Sequence, residues 1–281
     1  MDNKGLNTKQ VGNLFGVDES TVRRWSLAGK IKCSSSAGGH RKFSYKDIID
    51  FSKTRGLKLN QSKETLDKTI IINEILNHSL NNNSSLIELI LIKLYLNGTE
   101  LTNIMDDVVE STLINLQSKL DKKEISIAEE HIARKIISKS LNGFKLSIIN
   151  DNSKNKKNIL CLNLENDIPD LPIDMIQILL ENINYNVYNC GSHTSIKDVK
   201  KLLEKQTYKA IFIYLCDRQC CTSTIEDNIK KTNKDLKAIS ILAKKYNIKL
   251  FLGGPSFKNI NENVLKNFNK FTKYSEVLSL I

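Results

Sequence analysis

Apolar positions along the chain change their spacing twice, and each change marks a different kind of element. Near the start, Val11, Leu14 and Phe15 share one face at helical spacing, with Thr8 placed to cap that helix and Gly16 to turn the chain. Asp18 or Ser20 can cap a second helix through Leu27, ended by Gly29, which turns Val22 and Trp25 inward and Arg23 and Arg24 outward. Lys30-Ile31-Lys32 and Arg41-Lys42-Phe43 then alternate as strands around residues 34–39, predicting a hairpin with a flexible tip. Ser44 caps a third helix to about Thr54, packed by Ile48, Ile49 and Phe51.

A polar linker from Gly56 to Lys63 leads into long helical patterns over residues 64–78, 83–97, 99–121 and 126–142, which predict a four-helix bundle. The stretch from Leu86 to Leu96 is apolar nearly all round and should lie deep. Ser126 and Glu129 form a capping box for the last helix. After the polar residues 150–158 the period shortens. Strands at residues 159–164, 186–190, 210–216 and 248–252, with one near Phe271, alternate with helices at 171–183, 195–205, 233–246 and 262–268. That alternation predicts a doubly wound parallel sheet, whose ligands bind beyond the carboxyl ends of the strands. The fold class expected is therefore multidomain α/β: a winged helix-turn-helix over residues 1–60, a bundle over 61–148 and a Rossmann- or flavodoxin-type domain over 155–281.

Charge adds a direction to this plan. The net charge is +11, and residues 1–60 hold 12 Lys and Arg against 5 Asp and Glu, so about a fifth of the chain carries most of the excess. A basic helix pair followed by a basic hairpin is suited to double-stranded DNA, with the second helix in the major groove. Ser20, Thr21, Arg23 and Arg24 are the candidates for groove contacts; Lys32, His40, Arg41 and Lys42 are the candidates for backbone phosphate. No apolar run reaches the roughly 20 residues that span a bilayer, and the start of the chain lacks the apolar core of a signal peptide, so the expectation is a cytoplasmic protein with no membrane partner. The six cysteines form no CxxC pair, and Cys216, Cys220 and Cys221 lack recognised ligand spacing, so no metal site is expected.

Three sets of residues carry resemblances. The words from Val17 to Trp25, Ala28-Gly29-Lys30-Ile31 and Gly38-Gly39-His40-Arg41-Lys42-Phe43 resemble the front end of the MerR superfamily of transcriptional regulators over about 50 residues. The run from Glu124 to His131 resembles the helical cap of cobalamin-binding photoreceptor regulators of the CarH/LitR type. That resemblance implies upper-ligand contacts from Glu130 and His131, but the family's Trp is Leu120 here. The run Leu252-Gly253-Gly254-Pro255-Ser256-Phe257 resembles the cobalamin-binding fold, and Asp167 falls on the Asp of that family's Asp-x-His-x-x-Gly loop. In the same alignment the His is Pro169, the Gly is Pro172, and the small Ser that makes room for the nucleotide tail is Tyr214.

Proline has no ring nitrogen for a metal. The expectation drawn from these departures is a DNA-binding transcriptional regulator that is not an enzyme, has no catalytic residue and has lost ordinary cobalamin binding, leaving Asp167, Gly253, Gly254, Glu130 and His131 as remnants of a cofactor site. Its C-terminal half is expected to serve homo-oligomerisation or a regulatory protein partner. The alternative is a cobalamin-dependent, light-responsive regulator that holds the corrinoid without the lower His.

Overall fold

The computed structural model describes residues 5–35, 38–56, 67–149, 156–165, 171–216 and 225–281. The chain divides into two compact units, Met1–Ile148 and Ile149–Ile281.

In the first unit, β1 (Leu6–Asn7) runs into α1 (Thr8–Phe15) and α2 (Glu19–Leu27), followed by β2 (Ser34–Ser35), β3 (Arg41–Phe43) and α3 (Tyr45–Arg55). The N-cap of α1 is Asn7 rather than Thr8. Its Oδ1 accepts from Gln10 N at 2.8 Å while Gln10 Oε1 accepts from Asn7 N at 2.8 Å, which satisfies two of the helix's orphan donors. Gly16 ends α1 in the left-handed region. Trp25 meets Phe15 edge-on with ring centroids 6.0 Å apart and lies 4.9 Å from Phe51, so it belongs to the core between the three helices. The strand expected at Lys30-Ile31-Lys32 is absent, because the N–H groups of Lys30 and Ile31 turn back to Trp25 O and close the end of α2. The strands are instead Ser34–Ser35 and Leu6–Asn7, which flank Arg41–Phe43 in an antiparallel sheet of order β1-β3-β2.

The remaining helices of this unit are α4 (Lys68–Leu80), α5 (Ser84–Leu96), α6 (Leu101–Asn103), α7 (Glu110–Asp121) and α8 (Ile127–Ile148). A six-residue π-helical turn, Ile104–Val109, joins α6 to α7. The wider turn puts Ile104, Met105, Val108 and Val109 all inside. Ser126 caps α8, its backbone N–H donating to Glu129 at 2.7 Å and its Oγ accepting from Glu129 N at 3.3 Å.

The second unit holds β4 (Asn158–Leu162), α9 (Leu171–Asn182), β5 (Asn186–Asn189), α10 (Ile196–Lys205), β6 (Ala210–Tyr214), α11 (Ile225–Tyr246), β7 (Lys249–Gly253), α12 (Glu262–Leu265), β8 (Asn269–Phe271) and α13 (Tyr274–Leu280), with a short 3-10 helix at Pro255–Asn259. The five strands are parallel, in the order β5-β4-β6-β7-β8. This agrees with the α/β expectation and places every strand's carboxyl end on one edge. Leu160, Leu162, Ile211, Ile213, Leu250 and Leu252 form one face, covered by Val199 and Leu203 of α10 and Leu236 and Ile239 of α11. The opposite face, with Cys161, Phe212 and Phe251, lies under α9 and α13. Among the described residues, no helix is long and apolar enough to cross a membrane.

Burial has a pH consequence in this unit. Desolvation pushes the Cys161 thiol well above its ordinary 9.0, with Cys190 and then Glu181 adding to it; burial likewise raises Cys190 and Tyr208. Each group holds its proton more tightly folded than unfolded, so the stability they contribute is complete below the ordinary thiol pKa and is lost as pH rises through the folded values. Urea midpoints of the second unit are expected to fall above about pH 9, the unperturbed thiol range. A midpoint that is level across that range would remove this account.

Candidate functional site

Two regions gather the candidate residues. On α2, Ser20, Arg23 and Arg24 are exposed and Thr21 is half-buried, while Val22 on the opposite side is fully buried. Arg24 Nη2 donates to Thr21 Oγ1 at 3.1 Å, and Arg23 lies 3.5 Å from Glu19, both well exposed. These are loose surface contacts that a ligand's oxygen atoms can replace. The closed end of α2 leads directly into the segment bearing Lys32, which is exposed, and then to the hairpin. Arg41 and Lys42 are half-buried on the central strand, opposite Ser35 and Ser34, and His40 is exposed just before them. Within one unit the fold therefore joins a helix with an outward arginine pair to a basic hairpin.

The other region is the carboxyl edge of the parallel sheet. Tyr214, Gly253 and Phe271 lie side by side in register on β6, β7 and β8. A Cβ on Gly253 would lie 2.2 Å from the Phe271 ring, so that ring takes the clearance the glycine leaves. Gly254 has φ 99 and ψ 160, and a Cβ there would lie 2.1 Å from Leu215 O. The loop after β7 is sewn to the end of β6: Leu215 N donates to Gly253 O at 2.8 Å, Ser256 N to Leu215 O at 3.3 Å and Ser256 Oγ to Cys216 O at 2.6 Å. Tyr214 stacks parallel to Tyr274 of α13 at 6.2 Å, and Phe212 stacks on Phe251 at 4.4 Å and tilts toward Phe271 at 6.1 Å. Tyr274 had no signal in the sequence pattern, because α13 is short and its apolar spacing is broken by serines.

Just past β4, Glu165 pairs with Lys231, which also lies 3.7 Å from Asp235. Burial pushes the Asp235 carboxyl up and the Lys231 ammonium pulls it back. Asp167 and Pro169 lie outside the described residues, as do Cys220 and Cys221. Pro172 is buried at the second position of α9, where its missing N–H costs nothing. In the first unit, the Glu130 side chain is 1% exposed and ion-paired to Arg134, whereas His131 is 68% exposed with its Nε2 3.8 Å from Glu130. Leu120 is half-buried near the end of α7.

No protein-family model matches the sequence, and no curated protein is similar to it. Solved structures do match. The chain is similar to a monomethylamine corrinoid protein from Methanosarcina barkeri, with 11% identity and a TM-score of 0.56, over 76% of this chain and 97% of that one. It also matches a cobalamin-binding protein from Desulfitobacterium hafniense DCB-2 (12% identity, TM-score 0.35, 74% and 96% of the chains). A third match is a methanol:cobalamin methyltransferase complex from Methanosarcina barkeri (15%, 0.35, 78% and 80%). The second unit is less than half of the chain, so the first match must include much of the helical region ahead of it. The class of fold is that of corrinoid proteins.

This likeness corrects two expectations. Cobalamin is set aside in the sequence on Leu120, Pro169, Pro172 and Tyr214, yet the fold found is one that a corrinoid protein has, so that exclusion does not stand. The physical reason is that an absent imidazole removes one bond to a metal and does not by itself decide what else the fold can hold. The exclusion of an enzyme leans on the same absent histidine, and it falls with it.

The residues present fit a corrinoid only in part. The layer between the sheet and α9 with α13 is filled by Phe212, Tyr214, Phe251, Phe271 and Tyr274, none more than 9% exposed, so a nucleotide tail threaded there does not fit.

Proposed function

We propose that the chain is a corrinoid-dependent, DNA-binding transcriptional regulator in three parts. Residues 1–60 form a MerR-like winged helix-turn-helix, residues 61–148 a four-helix bundle and residues 155–281 a corrinoid-binding domain that holds its ligand without a histidine below the metal. The observation that supports this reading is the joining in one chain of a corrinoid-protein fold, covering 76% of its length, to a helix with two outward arginines and a basic hairpin.

On this reading Arg23 and Arg24 enter the major groove with Ser20 and Thr21 beside them, and Lys32, His40, Arg41 and Lys42 meet phosphates along the wing. His131 is the member of the Glu-His pair offered to a ligand, and Glu130, itself held by Arg134, faces its Nε2 from the interior at 3.8 Å. Gly253 and Gly254 stand at the sheet's carboxyl edge, and Asp167 is the further residue offered to the ligand by its match to the family's loop motif. Association of copies through the C-terminal half brings two DNA-reading modules to two half-sites.

The test has two arms. Calorimetric titration of the full chain with adenosylcobalamin and methylcobalamin in the dark is expected to show micromolar or tighter binding, and no heat with either would overturn the corrinoid half. A duplex selected from random sequence is then bound by the wild type and two variants. Arg24→Ala is expected to cost about 1–3 kcal/mol on the selected site only, whereas Lys42→Ala weakens all duplexes alike and flattens the salt dependence. Unchanged binding by both variants would overturn the DNA half.

A further inference from the structure

We infer that this chain recognises the corrin macrocycle and leaves the lower nucleotide tail outside, so that its ligand class includes tail-less corrinoids of the cobinamide type; the inference rests on the corrinoid reading above. Tyr214, Gly253 and Phe271 are consecutive across β6, β7 and β8, and the one small residue in that row does not open a channel, because the Phe271 ring lies where its Cβ would be. One row further in, Cys161, Phe212 and Phe251 pair across β4, β6 and β7, all with no exposed surface. From the helix side, Tyr274 is 4% exposed and stacked on Tyr214 within 4° of parallel.

Five aromatic rings from three strands and one helix thus occupy one continuous layer, at the close packing of protein interiors. A nucleotide of comparable bulk enters only by expelling at least two of them, and small shifts cannot make that room, since the Gly253 backbone is fixed by Leu215 N at 2.8 Å. At the carboxyl edge of the same strands Ser256 is half-buried and Pro255 exposed, and on the corrinoid reading it is there that a flat ring rests while its tail stays in solvent. Most of the ligand's apolar area and its upper ligand are then available to recognition, and the tail contributes little.

The experiment compares adenosylcobalamin with adenosylcobinamide on the full chain, in the dark, by calorimetry and visible absorption. The two ligands share the ring and the upper group and differ in the nucleotide. Dissociation constants within about threefold of each other are expected, because a tail left in water changes the binding free energy by well under the value of a tenfold step. Added α-ribazole, the free nucleoside of the tail, is expected to displace neither. Cobalamin binding more than about tenfold tighter than cobinamide, or displacement by α-ribazole, would overturn the inference and leave the corrinoid reading standing. Binding of neither ligand would overturn the corrinoid reading and the inference with it.

Discussion

Gly254→Ala is expected to unfold or nearly unfold the second unit, at a cost of about 2–6 kcal/mol, the sum of a glycine-only backbone conformation and a forced overlap. The conformation at φ 99, ψ 160 is one that side chains with a Cβ scarcely adopt. The overlap is worse than ordinary crowding. The nearest atoms are the carbonyl oxygen, carbon and nitrogen of Leu215 at 2.1, 2.8 and 2.9 Å, all backbone, and Leu215 N is itself bonded to Gly253 O. Relief requires parting the loop after β7 from the end of β6. Gly29 is the control: its φ is +64, but nothing lies within 4 Å of its Cβ position, so alanine there costs only about 1–2 kcal/mol of backbone strain. The chain's single tryptophan, Trp25, lies in the first unit, so its fluorescence follows that unit while circular dichroism follows both. The expected result is loss of a dichroism transition with Trp25 fluorescence unmoved. If Gly254→Ala and Gly29→Ala cost the same, the steric account is wrong.

The second large effect concerns the first unit. Arg134→Ala leaves the Glu130 carboxylate, whose side chain is 1% exposed, without its guanidinium, and removing one member of a buried pair costs about 3–5 kcal/mol. Replacing both residues with leucine is expected to recover most of the loss, since an apolar pair of similar volume carries no charge to desolvate. Trp25 fluorescence in urea checks both variants. An Arg134→Ala cost below about 1 kcal/mol, the usual value of an exposed pair, would show that water reaches the site.

Much of this architecture was legible because burial leaves runs that need no arbitration. The stretch AIFIY of β6 and the stretch from Leu171 to Leu180 of α9 are buried nearly throughout, and their elements were expected within a residue or two. Caps were legible where side-chain chemistry is unambiguous, as at Ser44 and Ser126. Where the reading missed, a local bond had overridden a pattern. Lys30-Ile31-Lys32 alternates like a strand, but its N–H groups finish the preceding helix. Leu6–Asn7 is too short to show a period of two, and its pairing with Phe43 and Lys42 is settled at long range. The π-turn at Ile104–Val109 has no composition of its own.

The candidate site divides the same way. The arginine pair is legible from helical spacing and is exposed as expected, and Tyr214, which stands where the resembled family has a small Ser, is buried against Tyr274. The role of Gly253 was not legible, because what fills its clearance comes from another strand. Pro169 makes a missing ligand visible in sequence, whereas the fold shared with a corrinoid protein is not visible there, and the exclusion of cobalamin does not survive it.

The position of Phe271 in the chain sets an order of assembly. It belongs to the last strand, yet it covers the row started by β6 and β7, so the aromatic face stays open until the end of the unit has been made. A sheet of parallel strands joined by crossovers is already slow to form, and here its edge at β7 is the last to gain a neighbour. A nascent chain halted between Gly253 and Phe271 therefore presents an unpaired strand edge beside bare phenyl rings, the state in which two such chains would pair with each other.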